Sequence, residues 1–247
     1  MSSSVPNIKD IKIPSHVAVI MDGNRRWAKN LGLPEIDGHK KGVERIKELV
    51  EYSAKIGVKS ITFWAFSTEN WTRSGNFLQD ILGLFRHVLN ERKDFFDDMV
   101  KNGGQVHILG DVSKFPQDIV SRINDYLKMP GPSKKIIDVN IALNYGGRDE
   151  LLRAFKKIVQ EGHKAEEITP QLISDHLDTA HQPDVDLMIR TGGEMRTSGY
   201  LLWQLNYAEY YFTKTYFPDF GVEEFEKALE DYSCRDRRFG GDTLAKN

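Results

Sequence analysis

A chain of 247 residues, 40% hydrophobic and 28% charged, is long and apolar enough to bury a core without staples. Thirty-four basic against 36 acidic side chains leave a formal charge of -2, which argues against a nucleic-acid partner. The single Cys234 excludes an internal disulfide and a cysteine-built zinc site, and it fits a reducing, cytoplasmic setting.

Met1 to Pro14 is polar and lacks an apolar run of signal length, so residues 1–15 read as an extension. The longest apolar runs, Val17 to Met21 and Ile61 to Phe66, are too short to cross a bilayer. Any membrane contact is expected to be peripheral at most. Both runs read as buried strands.

In chain order, strands are expected at His16 to Met21, Ser60 to Phe66, Gln105 to Leu109, Ile137 to Leu143 and Val185 to Ile189. Glu209 to Phe212 gives a weaker sixth. Between them, helical spacing appears at Lys40 to Ile56, where Val43, Ile46, Leu49, Val50 and Ala54 share a face that ends at Gly57. Further helices are expected at Asn76 to Lys101, Gln117 to Lys128, Asp149 to Glu161, Pro170 to Leu177 and Val222 to Tyr232. This alternation predicts an α/β fold, a single domain with a central, mostly parallel sheet of about six strands wrapped by helices. The domain is expected over residues 16–241, with 242–247 as a tail. No repeat or low-complexity tract interrupts it.

Parallel sheets place ligands beyond the carboxyl ends of their strands. Four such ends are rich in glycine, arginine or hydrogen-bonding side chains: Asp22 to Arg26, Ser67 to Trp71, Asn144 to Arg148 and Arg190 to Glu194. Their convergence predicts a polar cleft for an anion. Arginine forks suit phosphate oxygens, and glycine at a strand-to-helix turn lets backbone N–H groups approach them. A carboxylate such as Asp22 in that setting points to a hard cation, Mg2+, bridging it to phosphate. Taken alone, Arg25 and Arg26 read equally well as a solvated helix start, and Asp22 as a helix N-cap. There is no G-x-x-x-x-G-K-[ST], no G-x-G-x-x-G after the first strand, no H-E-x-x-H and no G-x-S-x-G. The Asp97-Asp98 pair lacks the D-D-x-x-D pattern and reads as a solvated helix face.

The segments His16-Val-Ala-Val-Ile-Met-Asp22-Gly-Asn-Arg-Arg-Trp27-Ala28, Ala65-Phe-Ser-Thr-Glu-Asn-Trp71-x-Arg73 and Asn144-Tyr-Gly-Gly-Arg148 resemble successive signatures of the cis-prenyltransferase (undecaprenyl diphosphate synthase) family. Ile189-Arg-Thr-Gly-Gly-Glu194-x-Arg196-x-Ser198, Leu201-Leu-Trp-Gln204, Tyr207-Ala-Glu209-x-Tyr-Phe212 and Arg237-Arg-Phe-Gly-Gly241 are similar to the later ones, in family order. The resemblance implies sequential condensation of isopentenyl diphosphate onto an allylic diphosphate such as farnesyl diphosphate, giving a cis-polyprenyl diphosphate, by a Mg2+-dependent homodimer. It implies that Asp22 and Glu209 hold metal. It further implies that Gly23, Asn24, Arg25, Arg26 and His39 bind the allylic diphosphate, with Trp27 beside the prenyl chain. Arg190, Arg196, Thr197 and Ser198 would bind isopentenyl diphosphate. Ser67, Thr68, Glu69, Asn70, Trp71 and Arg73 would line the reaction centre, with Asn70 assigned to proton removal. A neutral amide is a poor base, and the departing diphosphate is the rival acceptor.

The same resemblance implies that the 76–101 segment lines the chain tunnel. As one helix it would run about 39 Å, although aromatics at helical spacing are also ordinary core. Glu35, in a turn from Gly32 to Gly38, stands where many members carry a basic residue, and Gly199 and Tyr200 also depart from the common pattern. Two rivals stand beside the enzyme reading. One is a non-catalytic subunit of a heteromeric cis-prenyltransferase, which typically lacks the first-signature aspartate retained here as Asp22. The other is a nucleotide-binding phosphotransferase, for which the phosphate loop is missing.

Overall fold

The computed structural model describes residues 11–73, 76–180 and 182–237. Its core is one six-stranded sheet in the order β3-β4-β2-β1-β5-β6. The strands are β1 His16–Ile20, β2 Ser60–Trp64, β3 Gly104–Leu109, β4 Ile137–Ala142, β5 Leu187–Arg190 and β6 Glu209–Phe212. Every neighbouring pair runs parallel, so the expectation of a mostly parallel sheet becomes a wholly parallel one. The weak sixth strand is real and pairs with β5.

β1 lies in the middle and is buried at all five positions. Its side chains alternate between faces, as a strand requires. Val17 and Val19 join Leu49, Phe63, Phe95 and Phe225 on one side, and Ala18 and Ile20 join Tyr145, Tyr200 and Leu205 on the other. The helices are α1 Asn24–Asn30, α2 Glu35–Ile56, α3 Phe77–Asn90, α4 Lys93–Lys101, α5 Gln117–Lys128, α6 Gly147–Gln160, α7 Pro170–Asp175 and α8 Val222–Ser233. α2, α4 and α8 cover the first face. α3 and α5 enclose a third apolar cluster with Phe66 and Phe115. No helix among the described residues is long and apolar enough to cross a membrane.

Most expected elements are found with ends shifted by one or two residues, and three differ by more. The expected helix over 76–101 is two helices, broken at Glu91 and Arg92. The Leu89 carbonyl accepts from Arg122 Nη2 at 3.3 Å and Tyr126 Oη at 3.2 Å, both from α5, where a continuing helix would need it. The chain then turns so that Phe95 and Met99 enter the main core. The 39 Å wall is therefore absent. α1 is a helix that the sequence reading left as a strand-end loop, and α2 begins at Glu35 behind Pro34 rather than at Lys40. Ile11 and Ile13, in the stretch read as an extension, pack against the main core. Residues 1–10, Arg238 and the rest of the 238–247 tail lie outside the described residues.

His16, the first residue of the first signature, is buried at the amino end of β1. Its Nδ1 meets the Pro183 carbonyl at 2.8 Å and its Nε2 meets Thr62 Oγ1 at 2.7 Å. Burial lowers its pKa from 6.5 to about 4, against smaller opposing effects of the Pro183 hydrogen bond, Asp186 and Asp138. A depressed histidine pKa leaves stability intact above 6.5 and removes it as pH falls through 4, because the unfolded chain takes up the proton first. Each unit of separation is worth roughly 1.4 kcal/mol. Wild type should lose stability in urea between pH 7 and pH 5. His16→Gln, less stable at pH 7, should lose less over that interval; equal losses would place the acid sensitivity elsewhere.

Candidate functional site

A cleft of about 750 Å³ opens at the carboxyl ends of β1, β2 and β5. β1 has neighbours on both sides that lead to opposite halves of the sheet, and such a position is where open parallel sheets form their ligand crevice. The mouth carries Arg25, Arg26, Lys29, Arg73, Arg190 and Arg196 against Asp22, Glu35, Glu69 and Glu194. Six cations against four carboxylates leave a net positive mouth. Beneath it the walls are apolar: Val43 and Ile46 from α2, Phe77, Ile81, Leu84 and Phe85 from α3, and Phe66 from the β2 loop. The lining of the cleft therefore changes with depth, from charged to apolar.

Asp22 sits where the strand ends, and arginines flank both its oxygens. Arg26 Nη2 donates to Oδ1 at 3.0 Å and Arg190 Nη2 to Oδ2 at 3.0 Å. It does not cap α1: the N-cap is Gly23, at φ 101°, and no side chain caps that helix. The backbone of Asp22 is fixed by buried Thr191, whose Oγ1 accepts from Asp22 N–H at 3.0 Å and donates to the Asp22 carbonyl at 2.7 Å. Gly192 lets β5 come this close. A Cβ there would stand 2.8 Å from Arg26 Nη2 and 3.0 Å from the Asp22 carbonyl carbon. Arg190 is only 5% exposed, and its other nitrogen, Nη1, holds the Arg196 carbonyl at 2.5 Å and Ser198 Oγ at 3.0 Å. One arginine thus ties the metal-type carboxylate to the 196–198 loop.

Glu35 does not face the cleft alone. Arg25 grips it with Nε at 2.5 Å and Nη2 at 3.0 Å, and this pair lowers the Glu35 pKa. The Arg25 guanidinium also lies 5.7 Å from the Phe77 ring centroid, with Arg73 4.7 Å from the same ring. His39, within ring contact of Phe77, is driven from 6.5 to about 4 by burial and by Arg25 and Arg73. It is a neutral imidazole at pH 7. Its buried Nε2 has no partner, so it offers a hydrogen bond rather than a charge.

Of the residues singled out in the sequence, the structure brings Asp22, Gly23, Asn24, Arg25, Arg26, His39, Ser67, Glu69, Asn70, Arg73, Arg190, Arg196 and Ser198 into one cleft. Trp27, Thr68, Trp71, Thr197 and Glu209 are not among its walls. Trp27 Nε1 donates to Asp219 at 2.8 Å, and Trp71 Nε1 to Asn144 at 2.7 Å while its ring packs on Phe66 and Phe115. Glu209 starts β6 in register with Leu187 and Val17, roughly 16 Å down the strand direction from Asp22. There it pairs with Arg235 at 2.9 Å. Arg237 likewise folds back on Asp186 rather than extending as a free tail. The fourth strand end, Asn144 to Arg148, does not line the cleft either. Its Asn144 and Tyr145 are buried, with Tyr145 bridging Ser67 beneath the site. Lys29 also lines the cleft and was not singled out in the sequence. Reading 24–30 as a helix would have put Lys29 one turn from Arg25 and Arg26.

Asn70 accepts from the Ser67 N–H at 3.1 Å through its amide oxygen. Its remaining hydrogen-bonding group is the NH2, a donor. For a metal, Asp22 offers carboxylate oxygens at the head of an arginine-lined cleft. Magnesium binds through one or two carboxylates plus substrate phosphates, and the residues fit that ion.

Comparison with known proteins agrees with this geometry. A family model described as putative undecaprenyl diphosphate synthase matches residues 20–240. An isoprenyl transferase of Aquifex pyrophilus is 45% identical over 93% of this chain and 97% of its own. A ditrans,polycis-undecaprenyl-diphosphate synthase of Pasteurella multocida, named as farnesyl-diphosphate specific, is 42% identical over 93% of this chain and 95% of its own. Lavandulyl diphosphate synthase from Lavandula x intermedia, solved with dimethylallyl diphosphate, superposes with a TM-score of 0.84 at 32% identity. That match covers 92% of this chain and 98% of the other.

The Arg25–Glu35 pair makes a prediction about anion affinity. Glu35→Gln removes a carboxylate and releases a guanidinium at the mouth. Exposed charge pairs are worth up to about 1 kcal/mol, so inorganic diphosphate should bind a few-fold more tightly by calorimetry at low ionic strength. The gain should shrink as salt rises. Unchanged affinity at low salt would remove Arg25 and Glu35 from the anion site.

Proposed function

We propose a reaction for this cleft from one premise: the chain belongs to the undecaprenyl diphosphate synthase family and is a prenyltransferase. The proposed substrates are an allylic diphosphate, with farnesyl diphosphate as starter, and isopentenyl diphosphate, joined to give a cis-polyprenyl diphosphate. The observation that carries the reading is the change in the cleft with depth, with Asp22 held between two arginines at the top and the apolar faces of α2 and α3 below.

In this reading Gly23, Asn24, Arg25, Arg26 and His39 bind the allylic diphosphate, and Arg196 and Ser198, ordered by Arg190, bind isopentenyl diphosphate. The allylic carbon–oxygen bond breaks and diphosphate departs with the electron pair. Preorganised cations lower the cost of that charge. The terminal alkene carbon of isopentenyl diphosphate attacks the allylic carbon, the positive charge passes to the internal alkene carbon, and loss of a proton from the methylene next to that carbon forms the new double bond. Magnesium held by Asp22 together with diphosphate oxygens would neutralise the leaving group. Phe66, Phe77, Ile81 and Phe85 keep water from the allylic cation. Asn70, as an amide with its oxygen already engaged, positions a diphosphate that takes the proton. A metal role for Glu209 requires its Arg235 pair to open and a second copy of the chain to present it to the cleft.

A homodimer is part of this proposal. Leu152, Phe155 and Val159 form an exposed apolar stripe on α6, and Leu202, Tyr207 and Tyr210 are exposed apolar side chains from the β5–β6 region. Retention of Asp22 favours a catalytic chain over a non-catalytic partner subunit.

Four outcomes test the proposal. Purified protein with magnesium should incorporate labelled isopentenyl diphosphate onto farnesyl diphosphate unaided, and Asp22→Ala should nearly abolish this while remaining folded. Full kcat in Asp22→Ala would overturn the assignment. Arg196→Ala should chiefly raise the KM for isopentenyl diphosphate, by the equivalent of about 1.5–3 kcal/mol for a charged contact. Arg190→Ala should lower kcat as well, because it also releases Asp22; a pure KM effect would count against that coupling. Light scattering at assay concentration should give the dimer mass, and full activity from a monomer would end the dimer idea.

A further inference from the structure

At the far end of α6, about 21 Å along that helix from its start at Gly147, three side chains converge outside the cleft. Glu161 follows the last residue of α6, His163 comes after Gly162, and His176 ends α7. Their ligand atoms all lie within 4.8 Å of one another. His176 Nε2 stands 2.8 Å, and His163 Nε2 3.5 Å, from the same oxygen, Glu161 Oε2.

The outer nitrogens are arranged as well. His176 Nδ1 donates to the Leu172 carbonyl at 2.6 Å, which orients the ring so that Nε2 faces Glu161, and without a cation the 2.8 Å Nε2–Oε2 contact is an N–H donated to the carboxylate. His163 Nδ1 faces Glu167 Oε2 at 3.8 Å. An imidazole whose far nitrogen meets a carbonyl or carboxylate is the usual arrangement behind a metal-ligating histidine. Once the proton on His176 Nε2 leaves, a nitrogen lone pair and a carboxylate oxygen stand together with His163 beside them, and a metal ion can take the proton's place. A single proton on His176 would satisfy one contact, but the second imidazole would then be redundant.

We propose that Glu161, His163 and His176 form a site for a borderline transition-metal ion, zinc by chemistry, distinct from the magnesium of the cleft. Two imidazoles and one carboxylate are the ligand types of zinc, whereas magnesium prefers oxygen alone. Around a tetrahedral zinc with bonds of roughly 2.0–2.2 Å, neighbouring ligand atoms stand about 3.4 Å apart. The His163 to Glu161 separation already matches, and the His176 to Glu161 separation must widen by about half an ångström. Half-exposed Glu161 can move that far. The fourth position faces solvent, so the ion would clamp the end of α6 to α7 and would be open to chelators.

The test is calorimetric titration of metal-stripped, full-length protein with zinc chloride, with cobalt absorption as a second readout. Wild type should bind one zinc with saturable, micromolar affinity that excess magnesium chloride does not displace. His163→Ala and His176→Gln should each lose that equivalent. His163 is partly exposed and His163→Ala should leave the circular dichroism spectrum and the magnesium-dependent prenyl transfer unchanged. His176→Gln, closer to the α7 backbone, is the supporting variant. The same zinc stoichiometry in wild type and His163→Ala would overturn the site. So would the absence of saturable zinc binding in wild type, which would leave a histidine–glutamate ion pair only.

Discussion

The placement of one carboxylate, Asp22, organises the functional half of this molecule. It stands at the end of the central strand with arginine nitrogens at 3.0 Å on either side, and its backbone is pinned by Thr191. An unpaired carboxylate in a partly enclosed cleft would repel an incoming diphosphate. Paired in this way, it is held in one orientation while the mouth keeps its positive excess. The close approach of β5 that makes this possible depends on a residue without a side chain at position 192.

The apolar half follows from how the helices end. α3 stops where Arg122 and Tyr126 take the Leu89 carbonyl, and α4 redirects Phe95 and Met99 under the sheet. What remains facing the cleft is the first part of α3, with Phe77, Ile81, Leu84 and Phe85 opposite Val43 and Ile46 of α2. Polar mouth and apolar floor are thus set by different elements. The charged side chains of the mouth and the apolar side chains of the floor can be exchanged separately, since they come from different segments.

Glu35 illustrates how a local departure is absorbed. Read alone, a carboxylate at the diphosphate mouth is a repulsive defect. In the fold it starts α2, where acid complements the helix dipole, and it receives the Arg25 fork. The pair exchanges one permanent charge at the mouth for a neutral, breakable contact. The Phe77 ring lies beside both Arg25 and Arg73, so the pair also borders the entrance to the apolar wall.

The sequence by itself determined the strand–helix alternation, the parallel sheet and the glycine- and arginine-rich strand ends, because buried strands and amphipathic helices carry their periods in consecutive residues. It also identified Asp22, Arg26, Arg190 and Ser198 as one chemical group, since their types suit phosphate and metal. Only the tertiary structure decided which strand ends share a cleft. Asn144 and Tyr145 look as polar as the others, yet their side chains are buried, Asn144 bonded to Trp71 and the Asp111 carbonyl and Tyr145 to Glu150. It also decided that Trp27, Trp71 and Glu209 stand outside the cleft of this chain, each held by a partner from 26 to 192 positions away: Asp219, Asn144 and Arg235. The break in the 76–101 segment was equally hidden, because the groups that end α3 belong to α5. Local pattern reports what a residue prefers to be near, whereas long-range pairing decides which of several acceptable neighbours it meets.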